Sequence, residues 1–339
     1  MYRSIGYFNI TRVPLIEDAN FRPVPLLGNA HFQTTLPSLF RWVRGLEWRR
    51  QRLELLDGDF LDLDWLTSGA SRLLVISHGL EGDSRRPYVA GMARAACRAG
   101  WDAVAWNFRG CSGELNRLPR FYHSGASEDL GTVVLEAAKR GIYRTIVTLG
   151  FSLGGNMTLK FLGEGHPAAE KVDAGVAISV PCDLKGSSEI MEQSSRALYM
   201  RRFQKDILRK WDQKRRLFPD LIPKSDYKKQ RTFRDLDRVF TAPIHGFETE
   251  EHYWAMCSAN RFLANIPKPT LILNALDDPF LSPSCFPRAI ARLSDRLHLE
   301  IPRRGGHVGF VDQLRPSADL WTERRTMTFL KGLFGAKNS

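Results

Sequence analysis

The amino-acid sequence predicts an α/β fold, with a mostly parallel sheet covered by helices on both faces and a helical cap inserted between late strands. Three observations carry this expectation. From residue 73 onward, short apolar and β-branched runs alternate with helix-compatible stretches, the rhythm of βα units whose strands are buried on both sides. One run, 145–149, ends abruptly in Gly150-Phe151-Ser152-Leu153-Gly154 and continues as a helical stretch to residue 163. The alternation then breaks at Pro181, and no convincing buried strand follows between residues 183 and 266.

Taken in order, residues 1–50 read as an irregular arm packing on the core, because Pro14, Pro23, Pro25 and Pro37 interrupt any long element. His31 lies in this arm and reads as a loop-fixing residue. Residues 53–65 carry Asp57-Gly58 between alternating apolar positions, a strong hairpin signal that opens the sheet with an antiparallel pair. Strands are expected at 73–77, 103–107, 145–149, 174–180, 269–274 and 297–301. Helices are expected at 88–99, stopped by Gly100, and at 128–138, 153–163 and 320–334. Ser124 and Ser127 are the expected caps of the second helix, with Glu128 and Asp129 suited to its positive end. Between them the arm, a core of 51–182 and 266–339, and a cap of 183–265 account for the chain. Within the cap, Met200, Phe203, Ile207, Leu208 and Trp211 recur at helical spacing and read as core packing.

With 339 residues the chain can bury a large core. No apolar run approaches the ~18 residues of a membrane span, and residues 1–20 are polar and interrupted, so neither a signal peptide nor a spanning helix is expected. The five cysteines, Cys97, Cys111, Cys182, Cys257 and Cys285, are dispersed without C-x-x-C spacing. That argues against a disulfide framework or a zinc site and for a soluble protein of a reducing, cytoplasmic compartment. Cys97 and Cys182 read as small core residues. The net charge is +12 and uneven: residues 196–238 hold 15 Lys and Arg against six Asp and Glu. Such a block suits anionic lipid, nucleic acid or an acidic substrate, or simply forms a solvated helical face.

The chemistry centres on the G-x-S-x-G run. A serine on a tight strand-to-helix bend needs neighbours with almost no side chain, and Gly150 and Gly154 supply them. The hydroxyl is a weak nucleophile until a base accepts its proton and a third group orients that base. His307, in Arg304-Gly305-Gly306-His307-Val308-Gly309 after the last expected strand, is the base, with its glycines read as a flexible loop. His78, His123 and His245 are weaker candidates, since each precedes the serine or lies in the cap. Asp278 in Leu276-Asp277-Asp278-Pro279 is the preferred acid, with Asp277 capping the turn or exchanging roles with it, and Asp183 as a third choice. The oxyanion donors are the N–H groups of Leu153 and of Leu80 in His78-Gly79-Leu80-Glu81-Gly82, with Gly79 an alternative to Leu80. No HExxH cluster, phosphate loop or dinucleotide glycine pattern competes, so neither metal nor cofactor is expected.

These segments resemble the YheT-like branch of the α/β-hydrolase-domain proteins, which is related to lipid esterases. The resemblance runs through Asn29 to Thr34, the Asp57 to Trp65 hairpin, His78-Gly79-Leu80-Glu81-Gly82 and Asn107-Phe108-Arg109-Gly110-Cys111-Ser112-Gly113. It continues through Tyr122-His123-Ser124-Gly125, the serine bend, Asp277-Asp278-Pro279 and Gly305-Gly306-His307. It implies an α/β-hydrolase fold and hydrolysis of carboxylic esters, either short-chain esters or acylglycerol-type lipids, without a cofactor. The spanning N-terminus of some relatives has no counterpart here. His307 and Asp312 also form an H-x-x-x-x-D pattern like that of some lipid acyltransferases. A lipid acyltransferase or thioesterase on the same three residues is thus one alternative. The other is a non-catalytic module whose basic cap binds anionic lipid at a membrane periphery, nucleic acid being the weaker partner for want of a recognition motif.

Overall fold

The computed structural model describes residues 14–222 and 229–335. Part of the arm, 1–13, and part of the basic segment, 223–228, lie outside the described residues. Nine strands make one sheet: β1 (Leu15–Glu17), β2 (Arg49–Glu54), β3 (Phe60–Leu66), β4 (Arg72–Ser77), β5 (Asp102–Asn107), β6 (Thr145–Phe151), β7 (Ala174–Ile178), β8 (Thr270–Leu273) and β9 (Leu297–Ile301). Their order is β1-β9-β8-β7-β6-β4-β5-β3-β2. The β2–β3 and β3–β5 pairs are antiparallel and the rest are parallel, as the Asp57-Gly58 hairpin and the βα rhythm require. The chain passes from β5 back across β4 to β6, and the register pairs Ser77 with Gly150. The segments leaving β4 and β6 therefore emerge side by side at the carboxyl edge, where open α/β sheets place their sites.

The helices are α1 (Ala30–Phe40), α2 (Pro87–Arg98), α3 (Ser127–Lys139), α4 (Leu153–Gly163), α5 (Leu184–Met191), α6 (Ala197–Leu217), α7 (Phe233–Leu236), α8 (Ala242–Ile244), α9 (Glu250–Cys257), α10 (Arg288–Leu293) and α11 (Trp321–Phe334). Alternate residues of the strands feed two cores. Val147 and Leu149 of β6 join Val89, Met92, Phe329 and Leu330 under α2 and α11. Ile146 joins Leu130, Met157 and Phe161 under α3 and α4. Both faces are therefore covered. Between β7 and β8 the described residues form only helices and turns, α5 to α9 with a π-turn at Asp237–Thr241. Met200 and Trp211 of α6 are buried, and Phe203, Ile207 and Leu208 pack against the core.

The structure corrects two expectations. The arm is not irregular: β1 extends the sheet beside β9, and α1 spans eleven residues with Pro37 inside it. Asn29 caps this helix by accepting from the His31 N–H at 2.8 Å. Pro37 cannot donate to the Gln33 carbonyl, which lies instead against Gly309, where a Cβ would sit 2.1 Å from that oxygen. Neither Ser124 nor Ser127 caps α3, whose N-cap is Ala126 with no side-chain cap bond. The Ser127 hydroxyl bonds the Gly125 carbonyl and accepts from Lys160. Asp129, in the first turn as expected, is engaged by the buried Arg109 guanidinium at 2.8 Å.

Candidate active site

At the end of β6 the chain turns so sharply that Ser152 takes φ 52° and ψ −120° before α4 begins at Leu153. A non-glycine residue held there stores about 1–3 kcal/mol. A Cβ on Gly150 would lie 2.1 Å from the Gly154 carbonyl oxygen, and one on Gly154 would lie 2.3 Å from that of His78. The bend thus exists only with glycine at both positions. It projects the Ser152 hydroxyl beyond the sheet edge at the N-terminus of α4.

The His307 Nε2 lies 2.9 Å from the Ser152 Oγ. Its Nδ1 lies 2.9 and 3.1 Å from the two Asp278 carboxylate oxygens. Since an ionised carboxylate only accepts, Nδ1 carries the proton, and the Nε2 lone pair of the neutral ring faces the serine hydroxyl. The Asp278 side chain is fully buried and its Oδ1 also accepts from the Phe280 N–H at 2.9 Å. Asp278 therefore both holds the imidazole and caps its own turn. Asp277 does neither. It accepts from the Gly306 N–H at 3.0 Å, and burial pushes its carboxyl above the usual range. Asp183 caps α5 by accepting from the Gly186 N–H at 3.1 Å and also accepts from the Ser284 hydroxyl. Asp312 pairs with Arg324, so the H-x-x-x-x-D pattern does not bring its carboxylate to the His307 ring.

The loop bearing His307 is tied down rather than slack. Besides Gly306, its backbone N–H groups bond Thr34 Oγ1 (from His307, 2.9 Å), Ser179 Oγ (from Val308, 2.9 Å) and Gln33 Oε1 (from Val311, 2.7 Å). The glycines serve close approach to α1: a Cβ on Gly306 would meet the Ala30 carbonyl oxygen at 2.5 Å. Val308 and Phe310 join Ser152, Ser179 and Glu81 at positive φ, so backbone strain gathers around this one site.

Two backbone N–H groups come from residues that line one pocket with the serine. That of Leu153 opens α4, and that of Leu80 follows β4; neither donates to an acceptor among the described residues. The Gly79 N–H is taken by the Tyr88 hydroxyl at 3.0 Å, which leaves Leu80 as the available donor. The next residue, Glu81, has φ +52° and is clamped twice by Tyr122, whose hydroxyl accepts from its N–H (2.9 Å) and donates to its carboxylate (2.7 Å). Lys210 of α6 reaches the same carboxylate at 2.8 Å. Burial opposes the charge on Lys210, but the Cys111 thiol and Glu81 outweigh it and hold the ammonium above its ordinary range. Tyr122, Lys210, Thr34 and Ser179 were invisible to local pattern, because each acts on a residue far away in the chain. His78 is buried with its Nδ1 2.7 Å from the Gly79 carbonyl, and desolvation pulls it down to about 3. It is a structural residue of this turn.

A pocket open to solvent, with ≈1130 Å³ of space when the solvent at its mouth is included, contains Ser152, Leu153, Leu80 and His307 on its wall. Most of the lining is apolar, with Met191, Phe203, Ile207, Trp211, Leu236 and Phe280 from the segments between β7 and α10. His123, Asp237 and His245 supply polar patches. Burial holds His123 well below its usual range and raises Asp237 to about 6, the latter accepting from the Trp254 indole at 2.8 Å. His245 is anchored between the Thr241 and Phe121 carbonyls. No group of three or more His, Cys, Asp or Glu poised to hold a metal occurs among the described residues.

The family model for the alpha/beta hydrolase fold matches residues 72–314, which span β4 to β9 and every residue placed at the site except those of α1. The chain belongs to the α/β-hydrolase family. Within it, the chain is 37% identical over 329 residues to YheT of Escherichia coli (strain K12), which carries the provisional name of an esterase; the match covers 95% of this chain and 96% of the relative. It is 26% identical over 340 residues to phospholipase ABHD3 of Bos taurus, covering 97% and 82%. In fold it is similar to the Pyrococcus furiosus esterase Pf2001 at a TM-score of 0.55, with 16% identity over 86% of this chain and 97% of that one. This α/β hydrolase is an enzyme of the esterase and lipase type. No helix among its described residues is long and apolar enough to cross a membrane.

Proposed function

We propose that this α/β hydrolase cleaves carboxylic esters by acyl transfer through Ser152, His307 and Asp278. The observation that carries the reading is the unbroken contact from the Asp278 carboxylate through His307 to the Ser152 hydroxyl, both links at 2.9 Å. Ser152 attacks the ester carbonyl as Nε2 of His307 takes its proton, and Asp278 stabilises the imidazolium so formed. The N–H groups of Leu153 and Leu80 receive the oxyanion, a contribution of about 10²–10³ in rate for each donor. His307 then returns the proton to the leaving alcohol. Water, deprotonated by the same ring, finally attacks the acyl-enzyme and releases the acid. All of these groups belong to the chain, so the reaction needs no cofactor.

The apolar cavity wall supports an acyl chain as the buried part of the substrate, either a short-chain ester or an acylglycerol-type lipid. The phospholipase name of one relative agrees with the second. In this reading residues 183–265 act as a lid over a core of 51–182 and 266–339, with 1–50 as a packed arm. Five unpaired cysteines support a cytoplasmic setting, and the surplus of positive charge in 196–238 supports peripheral contact with anionic membrane. The decisive experiment replaces Ser152 with Ala. Turnover of a short p-nitrophenyl ester should fall at least ~10⁴-fold and fluorophosphonate labelling should vanish; unchanged turnover would remove Ser152 from the mechanism.

A further inference from the structure

Helix α1 is amphipathic with its faces exchanged. The inward side is polar: Gln33 is buried and bonds the Leu27 and Val311 carbonyls and the Val311 N–H, while Thr34 accepts from the His307 N–H. The outward side carries large apolar groups beside exposed His31 and Ser38. Phe32, Leu39 and Phe40 are 52%, 65% and 62% exposed, and Trp42 just beyond the helix is 50% exposed. Positions 32 and 39 fall on one side of a 3.6-residue helix, opposite 34 and 37, and position 40 lies on the flank between the two sides. Leu26, ahead of the helix, is 96% exposed. Water does not stabilise such a ridge, and contiguous exposed apolar surface marks a place where something else docks.

Charge next to the ridge says what docks. His31 of α1 bonds Tyr199 of α6 at 3.0 Å and stacks on its ring. From that junction α6 presents exposed Leu198, Arg201, Arg202 and Lys205 on a single face. These three cations have no ion pair among the described residues, unlike Lys210, Arg215, Arg216 and Arg234 further along the segment. Arg44 stands over the Trp42 ring. An apolar ridge flanked by unpaired cations suits the boundary between the headgroups and acyl chains of an anionic bilayer. A second copy of the chain fits less well, since a twofold contact through this face would set one cationic stripe against another.

We propose that the outer face of α1, with the first turns of α6, is an interfacial docking surface for anionic lipid. This rests on the membrane reading given above and assigns it a location in the arm that charge counting does not reach. The surface backs directly onto the site. Thr34 holds the His307 backbone, and Tyr199 touches Phe280, whose ring lies 4.3 Å from that of His307. Docking would therefore bring the cavity and its histidine loop to the lipid together.

The test uses the full chain carrying Ser152→Ala, so that no lipid is consumed. It measures co-sedimentation with phosphatidylcholine vesicles made with or without phosphatidylglycerol. Binding should require phosphatidylglycerol and weaken with salt. It should fall about tenfold or more in F32S/L39S/F40S, and likewise in R201S/R202S/K205S. Both variants alter exposed side chains, and an unchanged melting temperature checks that they fold. Parent-like vesicle binding by F32S/L39S/F40S would overturn the role of α1 while leaving membrane contact through the basic segment standing. No binding by the parent to either vesicle overturns both. Self-association of the parent that F32S/L39S/F40S abolishes, with vesicle binding absent, would give the face to a second copy instead.

Discussion

The loop carrying His307 and the helices between β7 and β8 both close on Ser152, yet they are held in opposite ways. In the loop, the N–H groups of Gly306, His307, Val308, Phe310 and Val311 each have a fixed acceptor, and the chain accepts positive φ at Val308 and Phe310 to reach them. The helices meet the site mainly through apolar packing and long side chains, Lys210 to Glu81 and Arg196 to the Pro279 carbonyl, with backbone ties at the far end, where Asn156 of α4 bonds the Cys257 carbonyl and the Ala259 N–H. Backbone ties fix a position to the tenths of an ångström that proton transfer needs. Side-chain ties and packing set the shape of a cavity and leave it open to variation. The two regions accordingly divide the labour between reaction and recognition.

This division is open to direct attack. The largest effect belongs to Asp278→Asn, which leaves the ring without an anionic partner and favours the wrong tautomer; kcat should fall ~10³–10⁴-fold. Asp277→Asn keeps an oxygen that can accept from the Gly306 N–H and removes only the charge, and it should cost no more than about tenfold. Equal losses in the two variants, measured by initial rates on one ester, would erase the distinction between them. Next comes Thr34→Val, which leaves the His307 N–H unpaired. A drop in kcat of about ten- to hundredfold with KM nearly unchanged is expected, as for a misplaced base. Lys210→Met reaches the site from the helical side. Tyr122 still clamps the Glu81 turn, so kcat should fall no more than about tenfold while KM changes for bulky esters. A larger kcat loss here than in Thr34→Val would show that the helices, too, set reaction geometry.

The smallest effect concerns stability and lies wholly in the helical region. Burial raises Asp237 to about 6, so the folded protein holds this proton more tightly than the unfolded chain does. The associated stability is fully present below about pH 4, the range of an unperturbed aspartate, and is lost as pH rises through about 6. The rise corresponds to ~3 kcal/mol. Because Asp237 is only half-buried and borders the open cavity, solvent there should reduce this to about 1–2 kcal/mol. Asp237→Asn keeps an acceptor for Trp254 and removes the ionisation. It should be more stable than the parent at pH 8 by that amount and indistinguishable at pH 4, as judged by urea unfolding. An advantage independent of pH would assign the gain to packing.

What could be read from the sequence follows the same line. The bend at Ser152 was legible because it is local: a buried strand, two obligatory glycines and a helix lie within one short stretch. His307 was legible as the late histidine among glycines, although those glycines serve close packing against α1 and not mobility. Its place before Pro279 favours Asp278 over Asp277, but only the folded turn shows that the Asp278 carboxylate meets the ring while that of Asp277 meets Gly306. Helix α1 was missed for two physical reasons. Pro37 reads as a breaker, and the residues facing the core are polar, the reverse of the pattern that signals a packed helix. Glu81 and Lys210 carry no mutual signal in the chain, since only the crossing of α6 over the turn after β4 brings them together.

One spacing has a consequence for how the protein is made. The serine and its histidine are separated by 155 residues, which a ribosome adding about 5–20 residues per second takes roughly 8–30 s to cover. Thr34, which anchors the histidine, is translated first of all and waits for both. β1 likewise waits for β9 before it can join the sheet. A nascent chain therefore carries the Ser152 alcohol without its partner imidazole until His307 has been added.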